Sequence, residues 1–372
     1  MQMLKRYLAN QIRQDLTRKM VFVGGPRQVG KTTLAKTFLT DDQGYLNWDV
    51  PEHRERILKN ELPMTPLWVF DEIHKYHSWR NFLKGLYDVK LPHQQILVTG
   101  SARLDYYRFS GDSLQGRYHY LRMHPLSLGE LTAKTQKEMM ELLELGGFPE
   151  PYFSSSSIEA KRWSREYRTR LIREDMVELE RVQDLGNIEL LSMRLPDLVG
   201  SPLSINALRE DLRVSHKTVA TWLDILERMY SIFRLPPFGS PLIRAVKKEQ
   251  KHYHFDWTLV SDMSFRFENL VACALLKWVN FQQDTLGKDT NLSYFRDVDK
   301  REVDFVVTSG TQPLMFIECK WNDAPLSPAL KYLKAKFPSS EGWQISAVGK
   351  KEFVGDLGIR VCPAVEFMKD LI

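Results

Sequence analysis

The stretch Gly25-Pro26-Arg27-Gln28-Val29-Gly30-Lys31-Thr32 decides how this chain is read. It satisfies the pattern G-x-x-x-x-G-K-[ST] at every fixed position. The apolar run Met20-Val21-Phe22-Val23 precedes it, and the helical pattern from Thr32 through Thr33 to Phe38 follows it. The motif carries weight only in that order of strand, loop and helix. Glycines let the backbone wrap closely around a phosphate, with N–H groups aimed at the anion. The positive end of the following helix adds to the attraction. The residues expected to touch ATP are therefore Gly25, Pro26, Arg27, Gln28, Val29, Gly30, Lys31, Thr32 and Thr33. Lys31 would reach the β- and γ-phosphates, and the Thr32 hydroxyl would hold Mg²⁺.

A second run, Pro66-Leu67-Trp68-Val69-Phe70, ends in Asp71-Glu72. Four apolar residues before two carboxylates is the Walker B pattern, and a strand would deliver both acids to the sheet edge where α/β ligands bind. Asp71 is expected to position Mg²⁺ and Glu72 to polarise the attacking water as general base. The strand Gln95 to Ser101 ends in polar residues, of which Thr99 and Ser101 are candidate sensors of the γ-phosphate, with Arg103 nearby. Arg117 or Arg122 is a candidate arginine finger, in cis or from a neighbouring subunit of a homo-oligomer, against the alternative of an ordinary surface arginine. Alternating strands and helices predict a parallel sheet over residues 1–130. The basic residues Lys5, Arg6, Arg13, Arg18 and Lys19 read as a solvated helix face, against the alternative of approaching nucleotide or nucleic acid.

Composition sets the frame. The 372 residues suffice for two or three domains, and 52 basic against 47 acidic side chains leave a mild excess of +5. Three scattered cysteines form neither a disulfide framework nor a zinc pattern. No apolar stretch is long enough to span a bilayer, and the N-terminus lacks a signal-peptide core, so a cytoplasmic location is expected.

Beyond the sheet, residues 131–187 read as a helical lid or connector, densely charged with both signs from Ile158 to Gln183. Residues 188–238 read as a small helical module. Ser204 and Ser215 are N-caps, and Val219, Trp222, Leu223, Leu226 and Met229 fall at helical spacing. Helix, tight turn, helix and an apolar strand resemble a winged helix-turn-helix, with His216, Lys217, Thr218 and Thr221 facing either a DNA groove or a protein. After the Pro-rich linker comes a basic run, Arg244, Lys247, Lys248 and Lys251.

Residues 239–372 carry a second constellation. A helix bears Glu268, one strand bears Asp304, and the next ends in Glu318-Cys319-Lys320. This is the D…(D/E)-x-K arrangement of restriction-endonuclease-like folds. Period-two alternation puts Glu318 and Lys320 on one face. Glu268, Asp304 and Glu318 would bind Mg²⁺ while Lys320 steadies an attacking water or developing phosphate charge, as in DNA cleavage. The other reading is a salt-bridged cluster retained for binding.

The whole chain resembles the predicted prokaryotic AAA-superfamily ATPases that carry a C-terminal domain of unknown function. The resemblance rests on Gly25 to Thr32, Val69-Phe70-Asp71-Glu72, Thr99-Gly100-Ser101 and His124-Pro125-Leu126-Ser127. It rests also on Gly146-Gly147-Phe148-Pro149-Glu150, Glu302-Val303-Asp304 and Ile317-Glu318-Cys319-Lys320. It implies ATP and Mg²⁺ binding and an AAA-like core. The expected function is an ATPase acting on or with DNA. The alternatives are a nucleotide-switched adaptor that binds a protein or DNA partner without cleaving, and a transcription factor working through residues 204–234.

Overall fold

In the computed structural model, which describes residues 4–100, 114–175, 184–239 and 249–372, the apolar runs of the first third form a parallel sheet. Its strands are β1 (Met20–Gly24), β2 (Tyr45–Asn47), β3 (Leu67–Asp71), β4 (Gln95–Thr99) and β5 (Tyr118–Arg122), in the order β2-β3-β4-β1-β5. β1 and β3 are buried at every position, as in strands covered on both faces. Phe22, Trp68, Phe70, Trp79 and Leu83 lie in the core on one side. β4 is inserted between β1 and β3, so Thr99 pairs with Val23 on one side and with Asp71 on the other. The C-terminal ends of the loop strand and the acid strand thus stand one strand apart. Ser101 and Arg103, like Arg244, Lys247 and Lys248, lie outside the described residues.

The chain divides into two compact units, Met1–Pro125 and Leu126–Ile372. In the first, Arg6 is buried, unlike the solvated face expected of it. Its guanidinium donates to the carbonyls of Val29 and, at 2.6 Å, His124. It therefore ties the phosphate loop to the chain leaving β5.

The segment Leu126–Glu130, read from sequence as the end of the sheet domain, belongs by its contacts with the second unit. The Leu126 N–H donates to the Gly147 carbonyl at 2.6 Å. The Ser127 hydroxyl donates to the Ile372 carbonyl, and Glu130 pairs with the buried ammonium of Lys277. A Cβ on Gly129 would lie 1.7 Å from the Leu371 carbonyl oxygen, so only glycine fits here.

Helices Gln136–Leu145, Pro149–Ser154 and Ser157–Arg170 follow. The last passes into a π-helical turn, Leu171–Asp175, and residues 176–183 of the expected charged stretch lie outside the described residues. Helix Leu185–Arg194 leads to the pair Ile205–Leu212 and His216–Arg228. Ser204 and Ser215 cap that pair as expected, accepting from the N–H groups of Ala207 and Thr218. β6 (Ile232–Leu235) then pairs antiparallel with β7 (Lys251–His254), and Pro202 bridges to Lys251. A boundary at 238 would cut this hairpin.

The last sheet has β8 (Thr290–Arg296), β9 (Glu302–Ser309), β10 (Gln312–Lys320), β11 (Glu341–Ser346), β12 (Phe353–Val354) and β13 (Arg360–Pro363). The order is β12-β13-β11-β10-β9-β8, antiparallel across β8, β9 and β10 and parallel across β10, β11 and β13. The 24-residue helix Met263–Leu286 starts at the Asp262 cap and stops at Gly287, whose φ of +63° suits glycine. No helix among the described residues is long and apolar enough to cross a membrane.

Candidate functional sites

The first site lies at the C-terminal edge of the parallel sheet. Gly25 and Gly30 are required by geometry. A Cβ on Gly25 would lie 2.2 Å from the Met123 carbonyl oxygen, and Gly30 has φ +93°. The helix Lys31–Lys36 begins directly after Gly30. Lys31 is buried, and its ammonium donates to the carbonyls of Gly25 at 3.0 Å and Pro26 at 2.6 Å. Burial pushes its pKa down to about 8, against the pull of Glu72 and Asp71.

Asp71 is ringed by hydroxyls. Thr32 donates to Oδ2 at 2.7 Å, Tyr45 to Oδ2 at 2.8 Å and Thr99 to Oδ1 at 2.6 Å. The motif's threonine and the Walker B aspartate thus meet directly. Thr99, a candidate sensor, spends its hydroxyl on Asp71. Tyr45 was not singled out in the sequence. Its signal was only that it opens the strand beside β3, and burial together with Asp71 pushes its hydroxyl pKa up.

Glu72 follows with φ +56°, and its N–H donates to the Thr99 carbonyl at 3.0 Å. Its Oε2 is buried without a hydrogen-bond partner, 3.5 Å from His74 Nε2 and 3.8 Å from Lys75 Nζ. Burial raises its pKa, with Lys31 opposing, and that direction suits a general base. The tight glycine backbone, the buried lysine, the Thr32–Asp71 contact and the poised Glu72 all fit a magnesium nucleotide. Thr32 and Asp71 would hold the ion. Arg117 instead donates to both carboxylate oxygens of Asp88, at 2.9 and 3.2 Å, which marks it as a brace between β5 and the helix Trp79–Val89.

The second cluster lies in the C-terminal unit. The register pairs Phe305 with Ile317, so Asp304 and Glu318 are next to each other across β9 and β10. Lys320 Nζ donates to Glu318 Oε1 at 2.7 Å, as the shared strand face predicts. The Cys319 N–H donates to Asp304 Oδ2 at 2.8 Å. Glu268 arrives from its helix and accepts from the Tyr253 hydroxyl at 2.7 Å.

The residue that sequence reading missed is Lys251. It sits on β7, has no exposed side-chain surface, and places its Nζ 2.6 Å from Glu302, 3.2 Å from Glu268 and 3.7 Å from Asp304. It was read as part of a basic run, yet it is the central cation of a buried acidic cluster. Burial alone would lower its pKa, but Glu268, Asp304 and Glu302 outweigh that and hold it above the ordinary lysine value. The acids still outnumber the cations. Burial and Asp304 push Glu268 up to about 7 and Glu318 up to about 8, and Glu318 Oε2 has no hydrogen-bond partner. Among the described residues no group of three or more His, Cys, Asp and Glu is disposed to hold a metal ion. Of the expected metal trio, Glu268 and Asp304 meet around the Lys251 ammonium, while Glu318, beside Asp304, pairs with Lys320.

Comparison with known proteins gives three matches along the chain. Residues 17–132 match an AAA domain, residues 136–269 a domain of unknown function (DUF8612), and residues 264–367 a second domain of unknown function (DUF4143). The uncharacterized protein MJ1544 of Methanocaldococcus jannaschii is 24% identical over 356 residues, covering 85% of this chain and 78% of that protein. The uncharacterized protein Rv2008c of Mycobacterium tuberculosis is 23% identical over 333 residues, covering 86% and 75%. Among solved structures, Aeropyrum pernix ORC1 in complex with DNA has a TM-score of 0.33 at 12% identity, covering 72% of this chain and 93% of that one. Thermotoga maritima RuvB has a TM-score of 0.28 at 18% identity, covering 61% and 85%. At those scores the overall likeness carries no weight beside the strand order and the domain match. With an intact phosphate loop, β4 inserted between β1 and β3, and a matching AAA domain, residues 17–132 form an AAA-type P-loop ATPase domain.

Proposed function

We propose that the protein is a Mg²⁺-dependent ATPase whose nucleotide cycle drives a DNA-associated activity of its second unit. The observation that carries the ATPase reading is the direct Thr32–Asp71 contact beside a general-base candidate in the half-buried Glu72. When bound, the magnesium nucleotide supplies the anhydride to be cleaved. The chain's part is to cradle its phosphates with the loop from Gly25 to Thr33, to neutralise charge with Lys31, and to orient water with Glu72. Lys31→Ala is expected to abolish ATP binding, and Glu72→Gln to bind ATP and not release it as ADP. Wild-type binding and turnover in Lys31→Ala would end this reading.

Support for DNA comes from residues 202–254. Two capped helices and an antiparallel hairpin, with a bridge from Pro202, make the winged helix-turn-helix order. His216, Lys217 and Thr221 are exposed on the second helix. Lys251 favours a second reading for the acidic cluster: the C-terminal fold binds its partner without cutting, because a buried ammonium already sits among Glu268, Asp304 and Glu302. DNA left intact with Mg²⁺ or Mn²⁺, with or without ATP, supports that reading. Nicking that disappears in Glu318→Ala or Lys320→Ala overturns it.

A further inference from the structure

The helix Ser157–Arg170 has two unlike faces. Ala160, Trp163, Ser164 and Tyr167 are buried, with Trp163 and Tyr167 stacked 4.7 Å apart beside Phe148. The opposite face is charged and exposed. Arg162, Arg165, Glu166, Thr169, Arg170 and Arg173 line an open groove of about 540 Å³. All six are exposed, and they recur at the three- and four-residue spacing of one helix face.

Among the described residues, four guanidinium groups therefore face one carboxylate. Two arginines have partners at the groove's ends: Arg162 donates to Glu159 at 3.0 Å, and Arg173 to Glu189 at 2.6 and 3.2 Å. The guanidinium groups of Arg165 and Arg170, in the middle, form no hydrogen bond or ion pair with a described residue. Glu166 lies four residues from both Arg162 and Arg170, which leaves a net excess of positive charge along this face that a polyanion would offset.

We infer that this groove is a sequence-independent contact for the phosphate backbone of duplex DNA. Residues 162 to 173 span about 16 Å at 1.5 Å per residue, about five steps of 3.4 Å along the duplex axis. The chemistry matches as well, because the planar guanidinium fork binds phosphate oxygens in pairs. Among the described residues the groove is lined by arginines, one glutamate and one threonine, a set suited to phosphate oxygens. The inference rests on the DNA reading above and adds a second contact, separate from the exposed helix at Lys217.

The test uses the full chain and a fluorescent duplex of mixed sequence, with affinity measured across a salt series. The double variant Arg165→Ala/Arg170→Ala is expected to lower the slope of log affinity against log salt by about 2, since each lost phosphate contact removes about 0.9. Sequence preference and ATP turnover should be unchanged. Arg165→Lys/Arg170→Lys should keep the slope and bind more weakly, which separates the guanidinium fork from bulk charge. Unchanged affinity and slope in the alanine variant, while Lys217→Ala weakens binding, would overturn the groove and leave the helix-turn-helix reading standing. A wild-type chain that binds no duplex at low salt would overturn both.

Discussion

Removing the Lys251 ammonium probes the C-terminal cluster most sharply. Lys251→Met keeps the length and apolar stem but leaves Glu268, Asp304 and Glu302 without the cation 3.2, 3.7 and 2.6 Å away. Deleting one partner of a buried ion pair costs about 3–5 kcal/mol, because the remaining charge stays buried and unpaired. Glu302 is 29% exposed and has Arg296 within 3.7 Å, so it can turn to solvent. Glu268 and Asp304 are only 9% and 15% exposed and carry most of the loss. A deficit of about 3–4 kcal/mol is expected, in the lower part of that range.

The pH dependence has a definite sign. Glu268 already has a folded pKa near 7, above its unfolded value. A carboxyl raised in this way favours the folded state at low pH, and that contribution is lost as pH rises through the folded pKa. Without Lys251 the pKa rises further. The variant's deficit should therefore be small near pH 5 and full near pH 9, by about the amount above. Hydrogen exchange of the β9 and β10 amides, followed across that range, reads the local opening free energy. A deficit under about 1 kcal/mol at high pH, or one that grows as pH falls, would refute the assignment of Lys251 as the cluster's cation.

The other predictions concern the histidines of β7 and the segment before them. Burial pushes His252 down to about 4 and His254 well below the ordinary value, so both are neutral in the folded state. Stability from such groups is present above the unfolded pKa and lost as pH falls toward 4, by about 3 kcal/mol for His252. His252→Gln should flatten the acid limb of a pH–stability profile, and an unchanged limb would count against it. Gly129→Ala places a methyl 1.7 Å from the Leu371 carbonyl oxygen and should cost about 1–3 kcal/mol. A thermal melt matching wild type would show that the C-terminal residues yield freely.

Local chemistry was legible in the sequence, and distant pairing was not. The phosphate loop, the Walker B strand and the caps Ser204 and Ser215 are each written within a few residues, so their structure follows from short-range rules. Glu318 and Lys320 share a face because a strand alternates. Lys251 was misread because nothing near it in sequence marks it as different from Lys247 or Lys248. Its environment comes from β6, β9 and the helix of Glu268, all brought in by tertiary pairing. Arg6 was misread for the same reason, since His124, which accepts from it, lies 118 residues away.

β7 also bears on how this chain can be divided. Alternate residues of its four serve different neighbours: Lys251 and Tyr253 reach the acidic cluster, while His252 bonds to the Leu195 carbonyl at 2.8 Å. A recombination event or an expression boundary placed at the Pro-rich linker would give β6 to one fragment and β7 to the other. The first fragment would keep half a hairpin, and the second would carry two buried histidines stripped of their cover. The helical module and the C-terminal sheet are therefore expected to be inherited as one block, exchanging partners only as a pair.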